Sequence, residues 1–322
     1  MKDGFGREID YLRISVTDRC DLRCVYCMPD EGVEWMPHEG ILRYEEILRL
    51  GRIFADLGVT RFKITGGEPL VRKGVESLIA GLRAIPGTKS VTLTTNGVTL
   101  AEKLPRLVDA GLEGVNVSLD TLDRARYAAL TRRDRLPRVL EGLEAAIRTP
   151  GLAVKLNCVA MAGREDDWIA LAALAKDEPL AVRFIELMPI GLGGELRPCG
   201  EAAIRQTLEG AYGPMEERED VRGNGPCRYF ALPGFRGRIG FISAMSHKFC
   251  DRCNRVRLTA AGYLKTCLQY DKGVDLAPLL TAADGELRSA IAAAILAKPL
   301  EHRFTAEDVE HREERIMSQI GG

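Results

Sequence analysis

The chain has 322 residues and sets 45 Lys and Arg against 46 Asp and Glu, for a formal net charge of −1. That balance leaves no global field for nucleic acid or an anionic membrane surface, so any anionic ligand must meet a local basic pocket. Nine cysteines, an odd number with most in two tight groups, read as metal ligands in a reducing cytoplasm and not as a disulfide framework. The first residues hold no apolar segment resembling a signal peptide, and no uncharged run reaches membrane-spanning length, so a cytoplasmic location is expected.

Along the chain, short β-branched runs alternate with amphipathic stretches. Strands are expected at Leu12–Thr17, Arg61–Thr65, Val91–Thr95, Val115–Leu119, Val154–Val159 and Val182–Leu187, with helices at Tyr44–Leu57, Gly74–Ile85, Ala101–Ala110, Leu136–Arg148 and Asp166–Ala175. Six such βα units predict an α/β fold, a partial TIM-like (β/α)6 barrel with a parallel sheet. Parallel α/β sheets carry their sites at the carboxyl ends of strands, and Cys20, Gly66, Asn96 and Asp120 all follow strand ends. After Pro189 the texture turns Gly-rich. The division expected is a barrel over residues 1–190 and a C-terminal α+β region over 191–322, with a soft boundary near 190 to 225. Beyond it come a short helix, a strand-like stretch from Arg228 to Ser243, and a helical Leu276–Ala297 that Gly285 should break. Gly191, Gly193 and Gly194 fail as a dinucleotide fingerprint because Leu196 stands where the last glycine belongs. No phosphate-cradling G-x4-G-K-[S/T] loop occurs, so a nucleotide would be held by side chains.

Two cysteine groups carry the chemistry. Cys20, Cys24 and Cys27 place three thiols within eight residues. Soft thiolates select iron–sulfur clusters, zinc or copper(I), and three sulfurs on a four-iron cube leave one iron open to chelate a small molecule. A zinc site short of a ligand and a ferredoxin-like module compete, although ferredoxin spacings are C-x2-C-x2-C or C-x4-C-x2-C. Farther on, Val256–Thr259 and Tyr263–Thr266 read as a hairpin that folds Cys267 back beside Cys250 and Cys253. A zinc ribbon completed by His247 is the alternative there. Arg255 and Arg257 fall at i and i+2 of one strand and share a face, either as two forks suited to a nucleotide or as solvated hairpin charges. Cys158, Cys199 and Cys227 are read as ordinary small residues.

The first cysteine run, followed by Gly66-Gly67-Glu68-Pro69, resembles the radical S-adenosylmethionine (SAM) superfamily. With the second group added, the chain is similar to the GTP 3′,8-cyclase (MoaA) family of molybdenum cofactor biosynthesis, from Arg13 to Cys267 and again at Gly321-Gly322. The resemblance implies two four-iron (4Fe–4S) clusters, one on Cys20, Cys24 and Cys27 and an auxiliary one on Cys250, Cys253 and Cys267. It implies SAM beside Tyr26, Gly67, Ser118 and Met188, and GTP against Arg13, Lys63, Thr94, Lys155, Arg255 and Arg257. Lys63 stands where that family commonly has Arg, and an ammonium cannot fork as a guanidinium does. Arg183 is a further candidate for the triphosphate, and Gly321 and Gly322 for a tail reaching the active site. The implied reaction is radical cyclisation of GTP to 3′,8-cyclo-7,8-dihydro-GTP. A flavodoxin- or ferredoxin-type reductant and a downstream cyclic pyranopterin synthase would be partners; the sequence does not give the oligomeric state, for which a homodimer is the candidate. Two other readings stand beside it. A peptide-modifying radical SAM maturase with an auxiliary cluster usually carries more C-terminal cysteines, and a non-catalytic iron–sulfur electron carrier would want fully ligated clusters.

Overall fold

A computed structural model of the chain describes residues 1–219, 223–304 and 313–321. Strands β1 (Tyr11–Ser15), β2 (Arg61–Thr65), β3 (Ser90–Thr95), β4 (Gly114–Ser118), β5 (Ala153–Ala160) and β6 (Ala181–Glu186) pair in chain order, all parallel. Between them run α1 (Tyr44–Asp56), α2 (Val75–Arg83), α3 (Leu100–Asp109), α4 (Arg124–Thr131), α5 (Leu136–Arg148) and α6 (Glu165–Asp177). Each expected strand and helix of this segment lies within two residues of its observed bounds. The additional helix is α4, which opens where the Asp123 carboxylate accepts the Arg126 N–H at 2.7 Å.

The remaining chain builds onto both edges of this sheet. It runs α7 (Glu201–Tyr212), β7 (Glu216–Arg218), β8 (Arg228–Ala231), β9 (Arg238–Ile242), β10 (Arg255–Leu258), β11 (Tyr263–Lys265), β12 (Gly273–Asp275), α8 (Asp284–Leu296) and α9 (Met317–Ile320). β9 joins β6 and β10 joins β1, both parallel, and each carries an antiparallel hairpin outward. Eight parallel strands thus form the centre of the sheet, with the first and second cysteine groups brought to neighbouring strands β1 and β10.

Alternation sorts the side chains of these strands. One face, exemplified by Leu12, Phe62, Leu93, Val117, Leu156, Phe184 and Val256, is buried in a single apolar core against the helices. Each such side chain stabilises the fold by about 1.5–3 kcal/mol. The helices answer with their own stripes; α1 presents Ile47, Leu50, Ile53 and Phe54, and its start is fixed where Glu46 accepts the Arg43 N–H at 2.7 Å. The opposite sheet face is polar. Its register rows read Arg257, Arg13, Lys63 across β10, β1 and β2, and Ser118, Asn157, Arg183 across β4, β5 and β6.

One expectation is corrected. Gly285 does not break a helix; it is the second residue of α8, in a first turn whose N–H groups lack intrahelical partners in any case. The interruption comes earlier, as a 3-10 turn at Pro278–Thr281 followed by extended Ala282 and Ala283. Among the described residues no helix is long and apolar enough to cross a membrane.

Candidate active site

The loop that follows β1 holds the first three cysteines, and the turn after β2 presses on its root. Gly67 donates its N–H to the Thr17 carbonyl at 2.7 Å and Glu68 donates to that of Arg19 at 2.7 Å. A Cβ on Gly67 would stand 2.5 Å from the carbonyl oxygens of both Asp18 and Arg19, so only glycine permits this approach. Within the loop, Cys27 N–H bonds to the Cys24 carbonyl at 2.9 Å and Leu22 N–H points at the Cys20 sulfur at 3.4 Å. Burial, with the Glu68 carboxyl nearby, pushes the Cys20 thiol up to about 12; burial and the neighbouring thiols push Cys24 and Cys27 up as well. Coordination demands thiolates, and the positive charge of bound iron reverses the preference for the protonated form. Three thiols aimed at one cavity from a single loop therefore fit a cluster with one open iron.

Around that loop the strand ends supply acids that sequence reasoning did not assign. Glu68 is buried, which pushes its carboxyl up to about 7, and it accepts from Asn96 N–H (2.6 Å), Leu70 N–H (2.9 Å) and the Thr95 hydroxyl (2.8 Å). Tyr26 donates to Asp120 at 2.7 Å, and the other Asp120 oxygen accepts the Val159 N–H at 2.8 Å. These two contacts lock Tyr26 against the end of β4.

The second triad faces the first across the same space. Cys250, Cys253 and Cys267 line one cavity of about 330 Å³ together with Cys20, Cys24 and Cys27. Burial works against ionisation of Cys253, but Lys298, Arg255 and the Arg255 N–H outweigh it and bring the thiol below its ordinary range. Cys250 is raised by burial, partly offset by the His302 N–H. His247, the fourth ligand of the zinc alternative, is exposed and has its Nδ1 3.3 Å from the Ser246 hydroxyl and 3.5 Å from Glu201. Among the described residues no three His, Cys, Asp or Glu side chains gather around a point for a single metal ion.

A cluster of cations forms part of the enclosure. Arg13, Arg255 and Arg257 are on the cavity wall with Thr94, Ser118, Tyr26, Gly67 and Met188, whereas Lys63, Lys155 and Arg183 are not among the lining residues and act electrostatically on the cluster. Lys63, Arg183 and Arg257 are buried and the other three cations half-buried. Burial, and then Arg183, Arg13, Lys155 and Arg255, hold the Lys63 ammonium well below its usual range; Arg257 is depressed by burial, Arg13 and Arg255. The strongest charges acting on Lys63 are thus all cations. Arg183 donates to Asn157, and among the described residues the Nε atoms of Arg183 and Arg255 have no hydrogen-bond partner.

The C-terminal segment closes one side. Glu313 pairs with buried Lys265, Ile320 packs with Ile190 and Phe304, and Met317 and Ser318 reach the cavity wall. Gly321, at φ +79°, accepts from Arg257 Nη1 at 2.7 Å, and a Cβ there would stand 2.9 Å from the Ser15 Cβ. Gly322 lies outside the described residues. Glu68, Asn96, Asp120, Glu186, Lys298 and His302 also line the cavity, and none was assigned a role from sequence. Only Glu68, inside the Gly-Gly-Glu-Pro turn, and Asn96 and Asp120, just past strand ends, carried a local signal.

Residues 14–175 match the Radical SAM superfamily and residues 180–304 match Molybdenum Cofactor Synthesis C. A GTP 3′,8-cyclase of Moorella thermoacetica is 48% identical over 329 residues, with both chains covered in full. Those of Pelotomaculum thermopropionicum and Clostridium perfringens are 46% and 40% identical, again over the full length of each. The crystal structure of Streptococcus suis SuiB bound to S-adenosylmethionine shares the fold, with a TM-score of 0.59 at 17% identity over 88% of this chain and 68% of that one.

Proposed function

The chain belongs to the GTP 3′,8-cyclase family of the radical SAM superfamily, and from that premise we propose that it rearranges GTP to 3′,8-cyclo-7,8-dihydro-GTP in molybdenum cofactor biosynthesis. One observation carries the reading. Two cysteine triads share a cavity whose wall carries Arg13, Arg255 and Arg257, and the buried Lys63 and Arg257 are each depressed by burial and by neighbouring cations, a field that favours an anionic ligand. A triphosphate suits that field, and the missing phosphate-cradling loop is replaced by guanidinium and ammonium groups drawn from five strands.

Cys20, Cys24 and Cys27 would hold the cluster that engages SAM, with Tyr26, Gly67, Ser118 and Met188 as the surrounding wall, and Cys250, Cys253 and Cys267 would hold the second cluster. When bound, the first cluster and SAM supply one-electron cleavage of a sulfonium to a primary carbon radical. The protein's own part is binding and enclosure. Arg13, Arg255 and Arg257, backed by Lys63, Lys155 and Arg183, anchor the phosphates and leave ribose and base to extend between the triads. The Tyr26–Asp120 bond and the Glu68 contacts keep the wall rigid, and the tail at Gly321 completes a cover that excludes water from a reactive radical. A flavodoxin- or ferredoxin-type protein would deliver electrons, and cyclic pyranopterin synthase would consume the product.

The test is anaerobic reconstitution with iron and sulfide, followed by SAM, reductant and GTP. The expected products are 5′-deoxyadenosine and a nucleotide of unchanged mass that no longer co-elutes with GTP. SAM cleavage that leaves GTP intact under these conditions would overturn the assignment.

A further inference from the structure

Residues 298–302, immediately after α8, touch every arm of the second cysteine triad. Lys298 is 3% exposed, and its ammonium donates to the carbonyl oxygens of Arg255 (3.1 Å) and Thr266 and hydrogen-bonds the Cys253 sulfur. Thr266 precedes Cys267, so one ammonium ties the Cys253 arm to the Cys267 arm. The third arm is reached through Arg7, whose Nη1 donates to the carbonyls of Cys250 (2.7 Å) and Leu300 (2.6 Å) and whose Nη2 donates to that of Pro299 (2.7 Å). The His302 N–H completes the set on the Cys250 sulfur.

The two cations of this scaffold differ in charge balance. Arg7 is neutralised by Asp3, with its Nε 2.6 Å from the carboxylate. Lys298 meets carbonyl oxygens and a sulfur among the described residues. Its position is rigid, because its own N–H bonds to the Ile295 carbonyl at 3.1 Å and α8 is buried through Leu287, Ile291 and Ile295.

We propose that Lys298 is a positioning residue of the second site: it staples the arms bearing Cys253 and Cys267 and sets a fixed positive charge against the Cys253 sulfur, which raises the reduction potential of the cluster held there. The proposal rests on the reading that Cys250, Cys253 and Cys267 bind a cluster. Hydrogen bonds and charge at the sulfur are the protein's main levers on such a potential, since each added electron is stabilised by a nearby cation.

The experiment uses the full-length chain with Cys20, Cys24 and Cys27 replaced by Ala, so that the remaining iron reports the second triad alone. Iron and sulfide are counted, and the cluster is titrated potentiometrically with detection by electron paramagnetic resonance. In this background Lys298→Met should retain iron and shift the oxidised-to-reduced ratio about tenfold toward the oxidised form, about 59 mV for a one-electron couple. Lys298→Arg should titrate within about threefold of the parent, as expected if the charge is what matters. If Lys298→Met loses its iron, Lys298→Gln, whose amide can still donate to a carbonyl, is read in its place against the same shift. An uncharged variant that keeps its iron and titrates with the parent overturns the proposal, as does loss of iron from the Met, Gln and Arg variants alike, which would make Lys298 purely structural. A parent without iron would instead remove the second-cluster reading, and this proposal with it.

Discussion

Replacing Lys63 with Met should stabilise the ligand-free protein while weakening its grip on nucleotide. Lys63 is buried on β2 with Arg13 opposite it in register, and burial together with four neighbouring cations holds its ammonium well below the usual 10.5. Methionine fills a similar volume without charge. Exchanging a buried ionic group for a packed apolar one stabilises by about 1–4 kcal/mol, and each kcal/mol raises Tm by about 2–4 °C in a chain of this order of size. With GTP bound the same charge becomes favourable. A charge-assisted contact contributes about 1.5–3 kcal/mol, so Kd should rise about 10- to 160-fold. The pH dependence has a defined sign. The folded pKa is depressed, so the unfolded chain binds the extra proton between the lowered folded value and about 10.5, and ligand-free stability climbs with pH across that window. Lys63→Met should lack this part of the climb, and GTP should flatten it in the parent because phosphate restores the ammonium's preference for charge. Anaerobic thermal melts from pH 7 to 10 and equilibrium dialysis with GTP measure both effects. A variant that melts lower without ligand yet binds GTP as the parent does would refute the reading of Lys63 as a buried cation held for an anionic nucleotide.

Other perturbations separate the parts of the site. Gly67→Ala puts a methyl 2.5 Å from two backbone carbonyl oxygens, so reconstituted iron should fall from about eight to about four per chain with about 1–3 kcal/mol of stability lost; full iron content would show that the turn can give way. Cys24→Ser should abolish 5′-deoxyadenosine formation, whereas Cys267→Ser should leave some of it without cyclised nucleotide, and equal loss in both would make the second triad structural. Removing Gly321 and Gly322 deletes the acceptor of Arg257 but little packing, so melting temperature and iron should hold while cyclised product falls at least tenfold, about 1.4 kcal/mol of barrier. Product at the parent rate would make the tail a frayed end.

The strands were legible because each is a short run whose inward and outward residues alternate, and the six parallel partners follow one another in the chain. What failed was non-local or masked by composition. Nothing near Arg257 announces that it will lie opposite Arg13, because that pairing joins residues 244 positions apart and is settled by the closing of the sheet edge on β1. The α4 segment escaped notice because Arg124–Thr131 spans only about two turns and buries just Tyr127, Leu130 and Thr131. Gly285 misled for the opposite reason: a residue that weakens a helix interior costs little in its first turn.

The same contrast explains the site. Cysteine spacing is a local code, since a loop must bring its thiols together within a few residues, and the triads could be read from that alone. The groups that tune them come from elsewhere. Lys298 follows Cys267 by 31 residues, beyond an Ala-rich helix, and only the packing of α8 brings its ammonium to the Cys253 sulfur. The cation cluster is hidden by the whole-chain charge of −1, because acids elsewhere on the surface, such as Glu46, Asp134 and Glu144 paired with Arg43, Arg124 and Arg148, offset six basic residues of the strands that turn the other way. Net charge averages over the two faces of a sheet, and only register distinguishes them. A polar face read strand by strand shows Arg13, Lys63, Lys155, Arg183, Arg255 and Arg257 on one side of the sheet, and so many cations on one face favour a multiply charged anion beside them.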